Sequence, residues 1–149
     1  GGELMWGIII SIISGALMSV QGVFNTQVTK KAGFWVCAAF VQITAFAVCV
    51  IMWFVNGRQG SVPMLFSVDK KYMLTGGIIG AFITYTVVKG IDYLGTAKSA
   101  MFIITSQLIV AYLIELFGLF GMDKVDFSLK KLAGVVIICV GIVIFKWGR

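Results

Sequence analysis

The chain has no histidine, one proline, three cysteines and only 12% charged residues in its 149 positions. Each shortage removes something. Without histidine, the commonest acid–base group at neutral pH and the commonest metal ligand are both gone. Cys37, Cys49 and Cys139 lie far apart inside apolar runs. They make no CxxC pair and no ligand cluster, so they read as small packing residues and no metal or cofactor is expected. Enzyme chemistry is not expected either. No acids are paired, and Ser11, Ser14, Ser19 and Tyr112 have no base beside them in sequence. A soluble domain has about 25% charged residues, roughly double the share found here.

What is present is apolar surface. Hydrophobic residues make up 60% of the chain and the mean hydropathy is +1.03. Apolar runs of about 17 to 25 residues recur along the whole length, which places the chain among multi-pass membrane proteins. The net charge of +6 and pI near 9.4 do not indicate nucleic acid. The basic residues flank the apolar runs, where long side chains snorkel to lipid headgroups. The first run has no basic segment before it and is long for a signal peptide, so cleavage is not expected.

The patterning predicts an all-α integral membrane protein with one transmembrane domain, residues 1–149. Five helices are expected, near 4–25, 34–55, 72–89, 98–119 and 131–147. Thr29 to Gly33 and Lys89 to Lys98 read as short connections, and Arg58 to Lys71 as the longest loop. That loop holds Pro63, followed by Met64, Leu65 and Phe66, an apolar group suited to the headgroup region. Trp6, Trp35, Trp53 and Trp147 fall near the predicted helix ends, as aromatic belt residues do. With five spans the termini face opposite sides. One side then carries Arg58, Lys70, Lys71, Lys124, Lys130 and Lys131. The other carries Lys30, Lys31, Lys89, Lys98, Lys146 and Arg149, six against six. Short loops rich in Lys and Arg normally fix orientation. Here neither face wins, so the expectation is dual topology and an antiparallel (inverted) homodimer.

Polar side chains inside the runs need a reason, because helices already satisfy the backbone. Ser14, Met18, Gln21 and Asn25 are spaced to share one helix face. Gln42 lies in the second run, Thr84 and Tyr85 in the third, and Gln107, Tyr112 and Glu115 in the fourth. Hydroxyls commonly bond helix to helix. Amides carry both donors and acceptors and cost more to bury unpaired, so they suit a crevice for a polar solute. The candidate substrate pathway is therefore Ser14, Gln21, Asn25, Gln42, Thr84, Tyr85, Gln107 and Tyr112. Glu115 is the acid inside a predicted span and the candidate for proton or cation coupling, although it lies about a turn from its helix end. Gly76 and Gly80 form a GxxxG step, and Gly134 and Gly141 are seven apart. Both pairs are candidate helix-packing seams.

Three segments carry a family resemblance: Gly15 to Asn25 (GALMSVQGVFN), Gly76 to Gly80 (GGIIG), and Gln107 to Gly121 ending FGLFG. In order and spacing they resemble the DUF606, YdcZ-like branch of the drug/metabolite transporter superfamily. The resemblance covers essentially the whole chain. It implies a five-helix, half-size transporter of the bacterial inner membrane, from a family whose members work as inverted homodimers, oppositely oriented pairs or fused doubles, equivalent to a ten-helix relative. The family's polar positions fall here on Gln21, Asn25 and Gln107. The four-helix multidrug exporters of the superfamily use a glutamate in mid-first-helix, where this chain has Ser14 or Met18. The expected function is a secondary transporter, exporter or exchanger, moving a small polar or metabolite-like solute by alternating access. The expected partners are a second copy of the chain, the lipid bilayer and the solute, with no nucleic acid. Two other readings remain open: a dual-topology channel for a small ion or polar solute, distinguished by its turnover, and a non-transporting assembly partner.

Overall fold

In a computed structural model of the chain, which describes residues 1–147, the architecture is all-helical. The helices are α1 (Gly2–Ala32), α2 (Phe34–Val55), the short α3 (Val62–Leu65), α4 (Gly76–Leu94), α5 (Thr96–Phe117) and α6 (Leu129–Trp147). Single 3₁₀ turns precede α4 (Lys71–Thr75) and follow α5 (Leu119–Gly121). Arg149, counted above among the basic residues, lies outside the described part.

Two of the expected connections are much shorter than the sequence indicates. Thr29 to Ala32 continue α1, and Lys89 to Leu94 continue α4. Only Gly33 separates α1 from α2, and only Gly95 separates α4 from α5. Both glycines adopt nearly the same backbone conformation, φ 83° and ψ 156° at Gly33, φ 82° and ψ 164° at Gly95. A side chain is strongly disfavoured there. One glycine therefore breaks each helix where a longer loop looked necessary. Gly90, by contrast, stays helical, since a lone glycine lowers helix stability without ending the helix.

Four stretches are long and apolar enough to cross a membrane: Gly2–Ala32, Phe34–Val55, Lys71–Leu94 and Thr96–Phe117. The 22 residues of α2 span about 33 Å, matching a hydrocarbon core of about 30 Å. α6 has 19 residues and an apolar middle, and it differs from the other four in the lysines close to both ends, Lys130 and Lys131 in its first turn and Lys146 in its last. Very little of the apolar surface is covered. In the most apolar windows of these spans only 6%, 11%, 6% and 6% of residues are buried. In water this would be untenable; in lipid it is the ordinary condition of a helix face.

The chain divides into two compact units, Gly1–Asp92 and Tyr93–Arg149. In the first, α1 packs on α2, and small residues permit close approach. Gly22, Thr26, Cys37 and Ala38 are buried. The Cys37 thiol donates to the Asn25 carbonyl at 3.5 Å. Gly22 also meets α4: a Cβ there would lie 2.8 Å from Ile91 Cδ1 and 3.4 Å from Val87 Cγ1. In the second unit α5 packs on α6, with Thr105 and Ile142 buried. Thr105 returns its hydroxyl to the Met101 carbonyl at 2.8 Å, so its burial leaves no free donor.

Candidate functional site

The long helices decide what their polar side chains meet. Ser14, Gln21 and Asn25 follow one another along α1, with Ser14 and Gln21 exposed and Asn25 half-buried. Gln42 is exposed on α2 and Gln107 on α5. Among the described residues the side-chain amides of Gln21, Asn25, Gln42 and Gln107 have no hydrogen-bond partner. An amide facing hydrocarbon without a partner is costly. Each of these groups therefore calls for water, a solute or another polypeptide.

Thr84 and Tyr85 have local partners. The Thr84 hydroxyl donates to the Gly80 carbonyl at 3.0 Å, inside its own helix. Tyr85 joins an aromatic cluster with the first two residues of α2. Its ring meets Phe34 edge-on at 5.0 Å and lies nearly parallel to Trp35 at 6.3 Å. Nearby in sequence, Lys30 in the last turn of α1 pairs with Asp92 in the last turn of α4, at 3.7 Å. Both side chains are about half exposed, so this pair contributes under about 1 kcal/mol. Neither the aromatic cluster nor the ion pair was anticipated. Asp92 carried a usable signal, as an acid in a stretch whose other charges are Lys89 and Lys98. Reading that stretch as a loop hid it.

In the second unit Tyr112 supports the turn before α6. Its hydroxyl accepts the Ser128 N–H at 3.0 Å, and Lys131 lies 5.4 Å from its ring centroid. Glu115 lies in the last turn of α5, which ends at Phe117. Its main-chain carbonyl accepts from Val125 at 2.9 Å and from Gly118 at 3.2 Å. Among the described residues its carboxylate has no ion pair, with Lys89 and Lys124 included. The glycine seams have free space within the chain. A Cβ at Gly76, Gly80, Gly134 or Gly141 would meet nothing within 4 Å. The close approach falls instead at Gly22.

The two units thus divide the polar positions. Ser14, Gln21, Asn25, Gln42, Thr84 and Tyr85 belong to the first; Gln107, Tyr112 and Glu115 belong to the second. No cluster of three or more acids or cysteines able to hold a metal occurs among the described residues.

Long apolar helices with scattered uncompensated amides define a multi-pass membrane protein with polar positions inside its spans. The profile of the family described as "Putative inner membrane exporter, YdcZ" matches residues 6–144. The chain belongs to this YdcZ-like, DUF606 branch of the drug/metabolite transporter superfamily, a family of small-molecule membrane transporters rather than enzymes. It is also similar to the inner membrane protein YdcZ of Escherichia coli strain K12, at 24% identity over 140 residues, covering 91% of this chain and 89% of that protein. The setting fits the bacterial inner membrane. No solved structure matches.

Proposed function

We propose that the chain is a half-size secondary transporter that moves a small polar, metabolite-like solute by alternating access in an inverted homodimer. The observation that carries this reading is the set of exposed amides without partners among the described residues, Gln21, Gln42 and Gln107, on spans that are mostly apolar. α6 is the fifth span, its lysines snorkelling at either end. Two inverted copies bring the polar stripe of α1 and the Gln107 face of α5 around a central crevice, with Asn25, Gln42, Thr84 and Tyr85 contributing. Exchange of conformation between two chemically identical subunits opens that crevice to each side in turn, as inverted repeats do. A lining rich in amides and poor in carboxylates favours a neutral, zwitterionic or anionic solute. Glu115, in the last turn of α5, belongs at the mouth of the pathway, where it would couple a proton or cation. Gly76 with Gly80 and Gly134 with Gly141 have the open space that a second copy's helices would fill. The family's description as an exporter supports outward movement.

The test is a screen of amino acids, sugars, organic anions and organic cations for a saturable rise in melting temperature of the purified protein. The expected result is one responding class, with at least a tenfold loss of apparent affinity in Gln107→Ala and in Asn25→Ala, corresponding to about 1.4 kcal/mol or more. Both variants should keep the unliganded melting temperature of the parent. Unchanged affinity in both would remove these amides from the site.

A further inference from the structure

The loop between α2 and α4 carries apolar surface that lies outside the spans. Val62, Met64, Leu65 and Phe66 are all more than half exposed. With Pro63 they form α3 and its C-cap, a single helical turn. At 3.6 residues per turn their side chains point to every side, so the turn has no polar face. Exposed apolar groups gathered in this way mark a surface that meets lipid or protein. The turn also satisfies much of its own backbone. Pro63 has no N–H to place. Met64 donates to the Ser61 carbonyl at 3.0 Å, Phe66 to Pro63 at 3.1 Å, Ser67 to Met64 at 3.2 Å and Val68 to Leu65 at 3.4 Å. The Ser67 hydroxyl donates to the Met64 carbonyl at 2.6 Å. Chain that enters lipid has to close its hydrogen bonds internally, as these groups do.

The height of the turn is fixed by its two ends. The loop joins consecutive spans, so both ends lie at one membrane face. Phe66 precedes Lys71, the first residue of the span Lys71–Leu94, by five positions, a reach of at most about 18 Å. The actual tie is shorter, because Lys71 Nζ donates to the Phe66 carbonyl. The turn is therefore held beside the first residue of a span, at headgroup level. At the other end, Trp53 in the last turn of α2 donates its Nε1–H to the Gln59 carbonyl at 3.1 Å. The Arg58 guanidinium lies 4.7 Å from the Phe54 ring centroid. Both contacts hold the start of the loop against its helix. The loop and its last junction carry Arg58, Lys70 and Lys71 against Asp69, an excess of two positive charges.

We propose that α3 is a membrane-interface anchor that seats in an anionic phospholipid surface. Met64, Leu65 and Phe66 enter the boundary between headgroups and acyl chains, as apolar side chains of interfacial segments do. Arg58 and Lys70, both exposed, meet lipid phosphates above them, and the positive excess selects a net-negative surface. Lys71 is a positioning residue, tying the turn to the start of α4. The anchor thereby fixes the depth of two span ends, that of α2 and that of α4. It is independent of the solute crevice and does not rest on the transport reading.

The experiment is a depth measurement by spin labelling of the full chain in lipid nanodiscs, which leave both membrane faces open whatever the orientation of the protein. Leu65→Cys, Phe66→Cys and Gln59→Cys are labelled one at a time in a background with Cys37, Cys49 and Cys139 changed to alanine. Collisions are compared for oxygen, which partitions into lipid, and for a nickel chelate, which stays in water. In discs of phosphatidylcholine with phosphatidylglycerol, oxygen should dominate at Leu65 and Phe66 and the chelate at Gln59. Removing the phosphatidylglycerol should shift the label at Leu65 toward the chelate. R58Q/K70Q should lose that response, and R58K/K70R should keep it. Chelate dominance at both Leu65 and Phe66 would overturn the proposal by placing the turn in water. Protection of both labels from both reagents would overturn it too, since polypeptide, such as a second copy, then covers the turn. A label at Leu65 that ignores phosphatidylglycerol would overturn the assignment of an anionic surface. If either variant folds poorly, Met64→Cys carries the same comparison.

Discussion

At Tyr85, packing and chemistry are separable. The ring holds α4 to the start of α2 through Phe34 and Trp35, and aromatic pairs of this kind contribute about 0.5–1.5 kcal/mol each beyond burial. Tyr85→Ala should therefore lower the melting temperature, while Tyr85→Phe should leave it unchanged. If the hydroxyl also serves the solute, Tyr85→Phe will weaken ligand binding at constant stability, and a binding isotherm beside a melting curve separates the two roles. Tyr112 shows how far a sequence reading reaches at this scale. Its place inside an apolar run marked it as polar and unusual. Its hydroxyl, however, meets the Ser128 backbone sixteen positions away in sequence. A tertiary contact across a turn leaves no trace in residue spacing. Gly22 is a similar case. Nothing in its spacing marks it, yet it is the glycine at which α1 and α4 come close.

The helices themselves were far easier to read, because an apolar run bounded by charge has a length and a hydrophobicity that need no tertiary knowledge. The end of α2 was equally accessible. Asn56 caps it and returns its side-chain amide to the Met52 carbonyl at 2.7 Å. The ends of α1 and α4 were misjudged for one reason. Lys30, Lys31, Lys89 and Asp92 looked like loop residues because they are charged, but charges in the last turn of a membrane helix reach the headgroups without ending the helix. The true breaks depend on backbone conformation at single glycines. Gly33→Ala and Gly95→Ala should each cost about 1–3 kcal/mol, the strain of forcing a side chain into that region, read as a fall in the midpoint of thermal or denaturant unfolding. Gly76→Ala, at a helical glycine with open space around it, should be tolerated by the isolated chain. A selective loss of dimer in that variant would locate the partner's approach.

For the whole molecule, the dominant fact is how little apolar surface the chain covers by itself. Nearly all of each span faces outward. Lipid accepts the apolar part of that surface and does not accept Gln21, Gln42 or Gln107. Family membership was legible in the order of the glycine and amide segments, since a chain of this length keeps its helices in sequence. The solute was not legible, because specificity depends on which side chains converge around it, and residue spacing along one chain holds no record of that convergence. The proposed inverted pairing rests on a sequence expectation, six basic residues on each side when five spans are counted.

The account depends most on the chain inserting in both orientations. The direct measurement uses Gln59, exposed in the loop after α2, changed to cysteine in a background where Cys37, Cys49 and Cys139 are alanine. A membrane-impermeant thiol reagent is applied to spheroplasts and, separately, to inverted vesicles. Dual topology predicts that each preparation labels about half of the protein, as charge balance requires, and that the two fractions are complementary. Complete labelling in one preparation and none in the other would contradict the inverted homodimer.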